Sequence, residues 1–473
     1  MNRVLSSFFW KFAERIAAQG VTFLVSIILA RILSPEEYGI IALVTVFITI
    51  ANVFASDGLG LSLIQKKDAD ELDSNSVLIF GVAVSVALYG LIYVLAPLTE
   101  LFYDYANFAA YLRVLGLKVP ISAVYSVLQA NAARKMDFKP VFLSTLLGSV
   151  VSGIVGIVMA LTGWGIWALI WQYLINSLVM TLVMAFLLRW KPKLECSMQR
   201  VKGLWSYGWK LFVSALVDTT YNQIHSLVIG KKYSADDLAY YNRGQQFPSL
   251  IGTNINTTIS TVLFPVISSH QDDIDKVRDL SRQAIKHSSY MMCILMATLA
   301  VVAEPLVRFI LTDKWLPCLP YVYICCFTFA FWPIQTSNLQ ALKAVGRSDL
   351  YLKLEIIKKC NGLLTIAIAA QFGVLAIALS GVYTTIFSMV VNSVPNKKIM
   401  NYGYFAQIKD MMPNLLLTAV CAGIMLLVRM LFDNHILQII VPALVGCTAF
   451  LLLSKWTKNE SFLFIIGVLK RKK

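Results

Sequence analysis

Apolar residues run through this chain in stretches of roughly bilayer length, near 10–33, 39–64, 76–98, 108–132, 140–162, 166–189, 207–230, 239–268, 286–312, 317–342, 354–373, 375–396, 412–432 and 436–456. A helix needs ~20 such residues to cross the hydrocarbon core, so the pattern predicts an all-α membrane protein of about fourteen transmembrane helices. The connections are short. The longest are a basic stretch from Lys191 to Ser206 and a polar one from His270 to Lys286. Within the second, Asp272 to Lys286 has helical charge spacing and predicts an amphipathic helix lying at the cytoplasmic surface. The opening segment, Met1 to Leu33, runs past signal-peptide length with no small-residue cleavage site, so it is expected to stay as the first span.

Polar residues interrupt four of these runs at helical spacing. A lipid-facing surface must be apolar, so each stripe predicts a face turned to protein or water. The first helix carries Arg15, Gln19, Thr22 and Ser26, with Glu14 beside them; the second carries Thr45, Thr49, Asn52 and Ser56, next to Asp57. The seventh carries Lys210, Ser214, Asp218, Asn222 and His225, and the eighth Arg243, Gln246, Thr253, Asn256, Thr257 and Ser260. Hydroxyls and amides in membrane helices often serve only as packing glue. Charges are more telling, because an ionised group at the bilayer centre costs ~2.5–3.5 kcal/mol unless paired or wet. Arg15, Asp218 and Arg243 are therefore expected in a cavity, with Arg113 and Lys210 as outlying cations.

Composition and charge narrow the class. The chain is 58% apolar and 14% charged over 473 residues, too apolar for an ordinary soluble enzyme. The 41 Lys and Arg against 26 Asp and Glu fall mostly after even-numbered runs, which sets both termini in the cytoplasm and leaves no reason to invoke nucleic acid. Lys231, Lys232 and Lys314 break the alternation. The eight cysteines, mostly within apolar runs, form no disulfide framework.

A repeat appears at an offset of 200 residues. Arg31-Ile32-Leu33-Ser34-Pro35-Glu36-Glu37-Tyr38-Gly39 lies over Lys231-Lys232-Tyr233-Ser234-Ala235-Asp236-Asp237-Leu238-Ala239, and a shorter echo sets Lys135 to Phe138 over Arg347 to Leu350. Two pseudo-symmetric six-helix lobes follow, residues 1–190 and 207–400, joined by a cytoplasmic linker at 191–206 and followed by two C-terminal helices and a basic tail, 401–473. The stripes then fall on the first two helices of each lobe, the arrangement of alternating-access carriers.

Arginine suits phosphate or carboxylate, and the many amides and hydroxyls suit sugars, so a phosphate-linked, sugar-bearing substrate satisfies both. The expected contacts are Arg15, Arg243, Lys210, Arg113, Gln19, Asn52, Asn222, Gln246 and Asn256. Asp218, Glu14, His225 and Asp57 are the candidates for coupling to a proton or sodium gradient. No phosphate-binding Gly-x-x-x-x-Gly-Lys loop, metal-ligand spacing or nucleophile elbow is present, so neither catalysis nor a cofactor or metal is expected.

Leu29 to Gly39, followed by Asp57-Gly58-Leu59-Gly60-Leu61-Ser62-Leu63-Ile64-Gln65-Lys66-Lys67, resembles the first helical hairpin of the Wzx-type polysaccharide transporters. Val262 to Pro265, Gln271 to Asp273 and Asp313-Lys314-Trp315 resemble the branch serving colanic acid and related exopolysaccharides. The resemblance implies a member of the multidrug/oligosaccharidyl-lipid/polysaccharide exporter superfamily. Such a protein would flip an undecaprenyl-pyrophosphate-linked repeat unit from the inner to the outer leaflet of the cytoplasmic membrane, for exopolysaccharide, O-antigen or capsule assembly, alongside glycosyltransferases and a glycan polymerase. It also implies that Arg31, Pro35 and Gly39 act as hinge or gate residues; Ser34 departs from the family signature. Pro265, inside the eighth span, is a candidate bend. Rival readings are a cation-coupled drug antiporter of the same superfamily, a membrane glycan polymerase or ligase, and a passive scramblase.

Overall fold

The computed structural model describes residues 10, 19–56, 58–190 and 192–471, and among these it is helical with no strand. In chain order the helices are α1 (Gln19–Ile32), α2 (Pro35–Ser56), α3 (Leu59–Gln65), α4 (Glu71–Tyr103), α5 (Phe108–Gly116), α6 (Lys118–Arg134), α7 (Lys139–Leu161), α8 (Ile166–Leu188) and α9 (Met198–Lys232). They continue as α10 (Ala235–Ser268), α11 (Ile274–Leu311), a 3₁₀ turn (Asp313–Cys318), α12 (Leu319–Ala330), α13 (Trp332–Ala344), α14 (Ser348–Ala369), α15 (Val374–Met400), α16 (Tyr404–Arg429), α17 (His435–Trp456) and α18 (Glu460–Arg471). Among the described residues, 11 segments are long and apolar enough to cross a membrane. Helices α9 and α14 have the length but carry more charge.

Four expectations about spans change. The run at 39–64 is two helices, because Gly58 takes φ +91°, a conformation closed to most side chains, and α2 stops at Ser56. The run at 108–132 breaks between Gly116 and Lys118, and the run at 317–342 breaks before Trp332-Pro333, where a proline disfavours helical continuation. The stretch from Asp272 to Lys286 is no separate surface helix: from Ile274 it is the first part of the 38-residue α11, capped by the Asp273 carboxylate, with Val277, Ser281 and Ile285 buried. Its apolar stripe continues in register into the membrane-spanning part, so it packs rather than lies flat.

The chain divides into two compact units, Met1–Ala239 and Tyr240–Lys473, the boundary falling within α10. In the first unit, α7 packs closely on α8 through small residues. Ser144, Gly148, Ser152 and Gly156 are buried along α7, and a side chain at Gly148 would press into Met180. Without a hydrophobic drive between helices in lipid, close approach of small residues is what holds such a pair. In the second unit, Leu263, Ile267, Val277, Ile285, Ile334 and Met411 form one core, and Tyr290, Ile294, Cys421, Met425 and Phe450 another. The eight cysteines are all free.

The repeated segments fold alike. The Ser34 amide donates to Glu37 Oε2 at 2.7 Å while the Glu37 amide donates to Ser34 Oγ at 3.3 Å. The Ser234 amide donates to Asp237 Oδ2 at 3.3 Å, and the Asp237 amide to Ser234 Oγ at 3.1 Å. Both are capping boxes, so the matched serines and acids are there to start α2 and α10.

Candidate functional site

Helix α9 supplies the clearest polar face. Lys210, Ser214, Asp218 and Asn222, at steps of four, are all exposed and His225 is half-buried, while Val201, Leu204, Gly208, Ser226 and Ile229 are buried. Four-residue steps fall on one helix face, so these groups share a surface. On α2, Thr49 is exposed, and Thr45, Asn52 and Ser56 are half-buried. Gln19 on α1 is exposed.

Helix α10 differs from expectation in its first half. Arg243 is 6% exposed, its guanidinium carbon 4.9 Å from the centroid of the fully buried Trp315 ring, and it donates to Gln246 Oε1 at 2.6 Å. Here the cation is stacked in the wall of the second unit rather than presented on an open face. Asn256 accepts from the Thr336 hydroxyl on α13. The exposed hydroxyls of α10 lie further on, with Thr253, Thr257 and Thr261 exposed at steps of four.

The stripe hydroxyls share one habit. Thr253, Thr257 and Thr261 donate to the carbonyls of Ser249, Thr253 and Thr257 at 2.5, 2.7 and 2.9 Å, and Thr49 donates to Thr45 O at 2.7 Å. Their protons are spent inside the helix, which leaves oxygen lone pairs able to accept but offers few donors.

Arg113 does not join these faces. Its Nε donates to Tyr93 O at 3.2 Å and its guanidinium lies 4.5 Å from the Tyr93 ring centroid, which ties α5 to α4. Arg15, Glu14 and Asp57 lie outside the described residues, and with them the juxtaposition of Arg15 with Arg243.

Two of the expected gate residues, Pro35 and Gly39, fall in the first turns of α2. Pro35 is buried as the first residue of α2, where its missing amide proton is no loss. Gly39 lies directly against the Ala235 carbonyl, so that any side chain there would overlap it. Arg31 is exposed, and Pro265 is exposed inside α10.

Tyr105, which sequence reasoning passed over, and Lys231 sit beside this crossing. The Tyr105 hydroxyl donates to the carbonyls of Gly230 and Tyr233, at 3.3 Å each. Burial, then the carboxylates of Asp237, Glu36 and Asp236, push its phenol above the usual range. Lys231 donates to the Phe102 carbonyl and lies 4.4 Å from the Phe102 ring centroid, at the C-terminal end of α4. That lysine was an exception to the charge alternation; its partner is a helix terminus, where a cation is favoured. The exception was itself the signal. No group of three or more His, Cys, Asp or Glu able to hold a metal occurs among the described residues.

The chain resembles the succinoglycan biosynthesis transport protein ExoT of Rhizobium meliloti, 22% identical over 98% of this chain and 95% of that one. It also resembles the lipopolysaccharide biosynthesis protein WzxC of Escherichia coli, 20% identical over 83% of this chain and 80% of that one. Among solved structures, the lipid II flippase MurJ in an inward closed conformation superposes with TM-score 0.77 at 16% identity, covering 96% of this chain and 99% of that one. An inward-facing multidrug transporter of the MATE family and MOP superfamily gives TM-score 0.62 at 15% identity over 84% of this chain and 95% of that one. These likenesses establish the fold. A profile described as "Polysaccharide biosynthesis protein" matches residues 28–320, more than half of the chain, and the chain belongs to that family of multi-pass membrane proteins.

Proposed function

We propose that the chain is a flippase, not a catalyst, carrying a lipid-linked oligosaccharide from the cytoplasmic to the outer leaflet of the cytoplasmic membrane by alternating access. The observation that carries the reading is the exposed row Lys210, Ser214, Asp218 and Asn222 on a helix of membrane-spanning length. Such a row is costly in lipid and useful beside a polar cargo. Membership of the polysaccharide biosynthesis family supports the cargo class. The lysine-rich even-numbered connections support cytoplasmic termini.

In this reading Lys210, with Arg15 and Arg243 when the latter leaves its wall, faces the diphosphate, and Gln19, Asn52, Asn222, Gln246 and Asn256 face the glycan. Arg113 is too engaged with Tyr93 to serve as a first choice. Asp218 is the leading coupling group, ahead of Glu14, Asp57 and His225. An inside-negative potential assists outward movement of a diphosphate by ~2.3 kcal/mol per charge per 100 mV. Glycosyltransferases would supply the substrate and a polymerase would consume it.

The test is outer-leaflet accessibility of lipid-linked glycan in cells depleted of the chromosomal protein. Lys210→Ala and Asp218→Asn are expected to lower accessible glycan at least tenfold with near-normal membrane abundance. Full accessibility in both variants would overturn the reading. Exposed Asp218 also favours one rival, a cation-coupled drug antiporter. That rival requires that Asp218→Asn abolish drug resistance while leaving glycan export intact.

A further inference from the structure

A second polar feature lies within the second unit, apart from the stripes. A cavity of about 670 Å³ is bounded by α11, α16, α17 and the turn leading to α18. One wall is apolar, with Leu416, Val420 and Leu453 along it, and Trp456, 81% exposed, stands at its rim. The other wall is ionic. Arg282 grips Asp410 through Nε and Nη2 at 2.7 and 2.8 Å, and the Tyr402 hydroxyl donates to the same carboxylate at 2.9 Å. Lys286 donates to Glu460 at 2.6 Å and stands 3.5 Å from Asp410. Both acids of the cavity are thus already neutralised, by Arg282 and Lys286.

Two cations remain. Lys409 and Lys458 line the same cavity, are exposed, and have no acidic partner among the described residues. Lys458 sits in a left-handed turn at φ +49°, and the next residue, Asn459, pins that turn by donating to Asn414 Oδ1 at 3.0 Å. The cavity therefore joins a greasy wall, an interfacial tryptophan and two surplus positive charges at one end of the α16–α17 pair, beside the 457–459 turn.

We propose that this cavity binds an anionic phospholipid of the leaflet on its own side of the membrane. The surplus charge selects a phosphate diester carrying net negative charge, and the wall of Leu416, Val420 and Leu453 takes the first part of the acyl chains. A free phosphate would use the lysines and leave the apolar wall wet. A polyprenyl diphosphate bearing sugars would need amides to read hydroxyls, and Asn414 and Asn459 already bond to each other. Juxtamembrane lysines attract anionic lipids in this way. The proposal stands whatever cargo the protein moves.

Native mass spectrometry of the purified full-length protein tests it, with phosphatidylglycerol, phosphatidylcholine, inorganic phosphate and undecaprenyl diphosphate as probes. Wild type and a charge-matched control, K67Q/K135Q, are expected to retain phosphatidylglycerol, and K409Q/K458Q to retain on the order of tenfold less. Phosphatidylcholine should bind weakly to all three, and inorganic phosphate should not displace the lipid. Both target lysines are exposed and unpaired, so K409Q/K458Q should unfold at the wild-type temperature. Equal retention by the two double variants, equal binding of phosphatidylcholine, displacement by inorganic phosphate, or tighter binding of undecaprenyl diphosphate would each overturn the proposal.

Discussion

Gly39 and Arg243 set the scale of single residues. Gly39 on α2 lies against the Ala235 backbone, and a methyl there would overlap a carbonyl that belongs to the start of another helix. Gly39→Ala is therefore expected to force α2 and α10 apart and to destabilise by ~1–3 kcal/mol, the range for overpacking, read as a lowered Tm in detergent. An unchanged Tm would mean that the crossing yields at no cost. Arg243 shows where a sequence stops being legible. An arginine in an apolar run announces that something must compensate it, and the expected compensation was water and an anion. The ring that meets it belongs to Trp315, remote in sequence, in a 3₁₀ turn that no periodicity signals. For Asp218 the spacing did predict one thing the structure has: it shares an exposed face with its neighbours at steps of four.

Elements were easier to read than partners. Each apolar run is long enough to name a helix by itself, so the helical class follows from lengths alone. Breaks depend on one residue each, and Gly58 and Pro333 were visible as letters but silent about whether the helix would tolerate them. The start of α4, five residues before the apolar run expected at 76–98, is set by a cap that the apolar run does not signal. Asp70 accepts from the Asp73 amide at 2.8 Å, the Asp70 amide donates to the Asp73 carboxylate at 3.1 Å, and Lys66 pairs with the buried Asp73 at 2.6 Å. The bond from the Asp73 amide is the largest influence and holds the Asp70 carboxyl below its ordinary range; desolvation opposes it, and the nearby Arg200 adds to the lowering. A depressed folded-state value means that this cap stabilises above the ordinary carboxylate range and is lost as pH falls through the lowered value. Asp70→Ala is expected to cost about 1 kcal/mol near neutral pH, and progressively less in thermal unfolding series carried to lower pH. A constant deficit across that series would remove the cap from the explanation.

At the scale of the molecule, the buried ion cluster and the threonine row make opposite demands. Asp410 is 8% exposed and serves Arg282, Lys286 and Tyr402 together. Removing it by Asp410→Ala strands those partners. A fully buried pair broken in this way loses ~3–5 kcal/mol, but Arg282 is half exposed and solvent screens it, so about 1–2 kcal/mol is the expected loss of stability. The measurement is Tm together with the amount of folded protein in membranes. The threonines of α10 should behave in the other sense. Their protons bond back along the helix, so Thr253→Val with Thr257→Val is expected to leave Tm within a degree or two and yet slow transport severalfold. Loss of folded protein would show that the hydroxyls serve packing instead.

That back-bonding has a consequence for anything moving along α10. A turn-by-turn ladder of oxygens with their protons already committed is a rail of identical rungs, each able to receive and none holding firmly. A passenger rich in hydroxyls would step from rung to rung without ever meeting a deep trap, so traction and grip would have to come from other groups.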